Sequence, residues 1–153
     1  MAEATTERQT DGRISSATLV FWGLIVLLAA VLRLTALNTV PPGGDADAAW
    51  IGLDALDWLD KGVWPHYINA MYAPEPLLPY LIGLAVPLVG IANMTPRLIT
   101  ALAGILTVAL LFPATWWLLG DEHNRTLRTR AALLATLSGA VSLHAMHISR
   151  LGI

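Results

Sequence analysis

The sequence has no cysteine in its 153 residues, and only 13% of them are charged. Without a thiol, disulfide stapling, thiol chemistry and Cys-ligated metal centres are all excluded. Soluble domains carry about a quarter charged residues, well above the value here. With 56% hydrophobic residues and a mean hydropathy of +0.61, the chain is neither a disordered polymer nor a basic nucleic-acid binder. A net charge of -2 says little alone; where the charges fall says more. The length allows one domain at most, or a small set of membrane spans with their connections.

Residues 1–16 are polar, small and mixed in charge, and read as a disordered tail on the cytoplasmic side. The run 17–37 is long enough to cross a bilayer. It exceeds the apolar core of a secretory signal, and no small-x-small cleavage site follows it. Arg33, about one turn from its end, either snorkels to the interface or faces a polar interior. Pro41-Pro42-Gly43-Gly44 then breaks the chain. Over residues 45–61, Asp47, Asp54, Asp57 and Lys61 share one helical stripe, and Trp50, Leu53 and Leu56 share another. This predicts an amphipathic helix lying on the membrane surface or packed beside it. Trp64, Tyr67 and Tyr72 in the following loop suit the water–lipid boundary.

The segment 77–92 is apolar but short, and it contains Pro79, Gly83, Pro87 and Gly90. Better spans follow at 98–119 and 131–148, separated by a polar loop with Arg125, Arg128 and Arg130. If 77–92 spans, basic residues divide four against four and the positive-inside rule is silent. If it lies in the interface or re-enters, five fall inside and three outside. The expectation is therefore an all-α membrane protein with three transmembrane helices, or four if 77–92 also spans. Both layouts place the N-terminus in the cytoplasm and the acidic loop 38–75 outside, as an integral protein of the cell membrane.

That loop holds Asp45, Asp47, Asp54, Asp57, Asp60 and Glu75. Asp54, Asp57 and Asp60 supply the wet face that an amphipathic helix needs. Asp45 suits a helix N-cap. Asp47 sits in the first turn, just after the Pro-Pro-Gly-Gly break, as a carboxylate at the membrane–water boundary. His66 reads as an interfacial hydrogen-bonding group. His144 and His147 share a face near the end of the last helix.

The stretches PPGGDADAAWIGLDAL, APEPLLPYLIGL, TPRLITALAGILTV and HAMHISRLGI resemble, in order and spacing, the N-terminal part of polytopic GT-C-class glycosyltransferases. The nearest in pattern are the protein O-mannosyltransferase and lipid A aminoarabinose transferase group, including the dolichyl-phosphate-mannose-protein mannosyltransferases. The resemblance covers residues 17–153. It implies that Asp47 stands at the family's catalytic base, with Asp45 as the fallback; Ala48 stands where the family has Glu. It puts Glu75, Arg97 and Arg150 on the side facing the substrate phosphate. It implies transfer of a sugar from a polyprenyl-phosphate donor to a hydroxyl acceptor outside the membrane. A divalent metal held through Glu75, with His66 as a weaker candidate ligand, would assist the leaving phosphate. The resemblance also implies an N-terminal fragment that lacks the later helices of the module and does not catalyse alone. A second reading is a small non-catalytic membrane protein that packs against a partner through Arg33, Ala101, Ala103, Gly104 and Ala109.

Overall fold

The computed structural model describes residues 14–40, 42–43, 46–66, 76–90, 94–120 and 123–152. Among them the chain is entirely helical: α1 Ser16–Leu34, α2 Ala46–Lys61, α3 Leu77–Val89, α4 Met94–Leu118, α5 Arg125–Val141 and α6 Leu143–Leu151.

α1 starts where Ser15 turns its hydroxyl back to accept from the Thr18 N–H at 3.2 Å, satisfying one of the first-turn donors. Its apolar side chains face outward: Val20, Phe21, Leu24 and Leu27 are each more than half exposed. Water would penalise such a surface and lipid does not. α1 and α4 are each long and apolar enough to cross a membrane, and α5 with α6 form a third such unit bent by 52°. α3, with 13 residues, reaches only ~20 Å against a hydrocarbon core of ~30 Å. The all-α membrane fold expected from composition is what the structure shows.

α1, α4, α5 and α6 make one bundle. Its centre is built from small residues that let helices approach closely. Ala29 of α1, Val108 of α4 and Ala140 of α5 are buried together, with Ile25 packed against them. Further along, the Trp22 indole N–H donates to the Ala109 carbonyl at 3.1 Å, and its ring lies 6.1 Å from that of Phe112. Gly104 of α4 admits α6 so closely that a Cβ there would stand 2.7 Å from the Ser149 Cβ.

α2 and α3 form a separate pair beside the start of α4. The Tyr80 ring meets Trp58 and Trp64 edge-on, at 5.5 and 5.3 Å between centroids. Gly83 leaves room for the Trp64 ring at 3.5 Å and Leu59 at 3.6 Å. Gly52 of α2 faces Pro96 of α4.

Several helix limits differ from the sequence-based expectation. α1 ends at Leu34, short of residue 37. Ala36 takes a left-handed backbone, φ 54°, which costs a non-glycine residue about 1–2 kcal/mol and cannot continue the helix. The turn is secured by the Ala36 carbonyl, which accepts from the N–H groups of Thr39 and Val40. α4 begins at Met94, earlier than residue 98. The expected helix 131–148 begins earlier, at Arg125, where Asn124 accepts from the Thr126 N–H at 2.8 Å, and it breaks at Ser142. There the Ser142 hydroxyl accepts from the Ala145 N–H and so starts α6. The tail before residue 14 lies outside the described residues.

Candidate functional site

Asp47, Arg97 and Arg150 fall at one end of the bundle, where α1 ends, α2 begins, α4 begins and α6 closes. Asp47 lies in the first turn of α2 and is exposed. A carboxylate here is favoured by the positive end of the helix dipole. Asp45 and Glu75 lie outside the described residues. His66 is exposed. Among the described residues no three His, Asp or Glu side chains come together as a metal site would require.

Arg97 and Arg150 are buried, and both reach the connection between α1 and α2. Arg97 donates to the Leu37 carbonyl at 3.2 Å and to the Gly43 carbonyl. Arg150 donates to the carbonyls of Leu32 at 2.6 Å, Thr35 at 2.7 Å and Val40 at 2.9 Å. These oxygens belong to the last turn of α1 and the loop beyond it, where helical partners run out. The guanidinium, with five donors in a planar fork, suits several such oxygens at once. The two arginines thus fasten the segment that leads to Asp47.

α2 divides its apolar residues between two faces. Ala48, Ala55 and Trp58 are buried, while Trp50 and Leu53 are 62% exposed, so this second pair remains for a lipid surface. On the polar side, Lys61 pairs with Asp57 at 2.7 Å, an exposed i,i+4 contact of small energetic weight. Asp54 is half-buried. Partial burial, then the neighbouring Asp57 charge, holds its carboxyl above the usual range.

Of the two positions open to Arg33, the interior one holds, and a cavity beside it is new. Arg33 does not snorkel. It is 1% exposed and donates to the carbonyls of Ala140 at 3.2 Å and Gly139 at 3.1 Å. Beside it, α4, α5 and α6 line an open cavity of about 660 Å³. The sequence signal for both was Ser138-Gly139 and Ser142 inside the final apolar run, where a straight helix has no need of them. The chain matches no known protein family, no curated protein and no solved structure.

Proposed function

We propose that this chain takes part in sugar transfer at one face of a membrane. In this reading the Asp47 carboxylate takes the proton of an acceptor hydroxyl. The acceptor oxygen bonds to C1 of a sugar carried on a polyprenyl phosphate, and the C1–O bond to the phosphate breaks. The observation that carries the reading is the setting of Asp47: exposed in the first turn of α2, on a segment fastened from Leu32 to Gly43 by Arg97 and Arg150. A base must meet its substrate in a fixed geometry, and one so placed is worth about 10²–10⁴ in rate. Negative charge that develops on the leaving phosphate needs cations or donors nearby. Arg97 and Arg150 bring positive charge to this end, and a divalent metal at Glu75 and His66 would serve the same role.

The reading places the chain in the cell membrane with its N-terminus in the cytoplasm. Arg125, Arg128 and Arg130 support this sidedness, because they gather at the bundle end opposite α2. The alternative is a non-catalytic membrane protein that packs against a partner. Of the residues named for it, Arg33 and Ala101 are buried within the chain and Gly104 faces Arg33 and Ser149, while Ala103 is exposed and Ala109 half-buried.

The test uses membranes from source cells lacking the gene, complemented with wild type or Asp47→Asn. Transfer from a radiolabelled polyprenyl-phosphate sugar should be restored by the first alone, at equal protein level. Equal transfer by both would overturn the reading.

A further inference from the structure

The cavity between α4, α5 and α6 is lined mostly by apolar surface such as Val108, Leu111 and Ile148, but polar groups are set among it: Arg33, Thr107, Ser138, Ser142, His144 and Ser149. Its floor carries a cation. Arg33 has no acidic partner among the described residues, and its Nε is buried with no hydrogen bond at all. A buried positive charge in hydrocarbon surroundings is costly unless an opposite charge is near. α6 begins at the same place. Its first-turn N–H groups, at Leu143 and His144, have no helical partners, and the helix dipole there favours an anion. A broken span whose second half points its N-terminus at a bound anion is a recurring solution inside membranes.

The depth and the outlook of the cavity identify the source of that anion. Arg33 is the penultimate residue of α1, so the floor lies within about one turn of the end of that span, within reach of a lipid headgroup. Thr107, Ser138 and His144 on the rim are exposed. Leu106 and Leu110 of α4 and Leu134 and Val141 of α5 are also exposed, each by about half or more. The cavity therefore opens sideways among acyl chains. No residue of α2 or α3 lines it, so Asp47 takes no part in it, although both lie toward the end of the bundle where α1 finishes.

We infer that this cavity holds the headgroup of one anionic phospholipid, its phosphate neutralising Arg33 across the cavity floor and its acyl chains lying along α4 and α5. The hydroxyl of Ser138 donates to the phosphate from the rim.

The test is native mass spectrometry of the detergent-solubilised chain titrated with phosphatidylglycerol and with phosphatidylcholine of the same acyl chains. One phosphatidylglycerol should be retained about tenfold more tightly, the scale of a single charge-assisted contact. Ser138→Leu blocks the mouth from an exposed position and leaves the fold intact; it should abolish that preference. Arg33→Gln should abolish it as well, in whatever fraction remains folded. Equal retention of the two lipids by the wild type would overturn the inference. So would a preference unchanged in Ser138→Leu, or displacement of the lipid by inorganic phosphate, which would mark the cavity as a site for a small free anion.

Discussion

The guanidinium of Arg33 lies 3.2 Å from the carbonyl oxygen of Ala140, although 107 residues separate the two along the chain. The relation arises from the break at Ser142. A helix that stops inside a membrane leaves its last carbonyls without N–H partners and without water. Arg33 supplies the donors. Arg128 does the same for the end of α4, reaching the Trp116 carbonyl at 2.8 Å while lying 4.5 Å over the Trp116 ring. Arg97 and Arg150 do so for the end of α1 and the loop after it.

Arg33→Leu is expected to destabilise the bundle, since each stranded carbonyl costs about 1–3 kcal/mol when buried. The midpoint of unfolding by sodium dodecyl sulfate should fall, and the separation of α1 from α5 should be visible by cross-linking. An unchanged midpoint would mean that the carbonyls find other donors.

Gly104→Ala should be harmful where Gly139→Ala is mild. At position 104 the new Cβ meets the Ser149 Cβ at 2.7 Å, on the neighbouring helix, so helix axes must move. Overpacking of this kind costs about 1–3 kcal/mol. At position 139 the Cβ meets the end of the Leu111 side chain, which can turn aside. Thermal melts of the two variants should rank in that order.

Asp54 makes a prediction with a sign. Its folded-state carboxyl is raised by burial and by Asp57, so the folded chain binds that proton more readily than the unfolded chain does. Stability from this group is therefore greatest below the ordinary carboxylate range and is lost as pH rises through the raised value. Asp54→Asn should accordingly stabilise α2 more at neutral pH than at acidic pH. Helical signal followed on heating at both pH values measures it, and a larger gain in acid would refute the assignment.

Under the proposed sidedness, a cysteine placed by Thr126→Cys should be shielded from an impermeant thiol reagent added outside whole cells. Thr126 is exposed at the start of α5, so burial alone cannot hide it. Ready labelling from outside would place the Arg125–Arg130 end outside.

Within the transfer reading, Asp47→Asn should remove activity and leave helix content intact. Asp45→Asn should be milder, because Asn caps helices about as well as Asp. Transfer measured in complemented membranes decides between them. An essential Asp45 with a dispensable Asp47 would shift the base to the helix cap.

Much of the fold was legible in the sequence because lipid is a simple selector. An apolar run such as 17–37 has one stable outcome in a bilayer. α3 was legible by its shortness. The break at Ser142 was not, because a serine in an apolar run is compatible with a continuous helix until tertiary donors appear, and Arg33 is far away in sequence. The apolar stripe of α2 was only half legible. Its periodicity marks Trp50, Leu53 and Leu56, but the pairing with α3 buries Ala48, Ala55 and Trp58 instead. At the candidate site, sequence marked Arg97 and Arg150 as cations at the acidic end. That they hold backbone carbonyls depends on the path of residues 35–43, which no local pattern encodes.

The clasp of Arg150 on Leu32, Thr35 and Val40 also fixes an order of events during biogenesis. Those contacts span 110 to 118 residues. While the ribosome is still extending the chain, α1 has entered the membrane and its last turn lacks the donors that later satisfy it. Seating of the end of α1 therefore waits for α6, a long-range closure of the slow kind. Until α6 arrives, water, the insertion machinery or a chaperone must hold that end of α1.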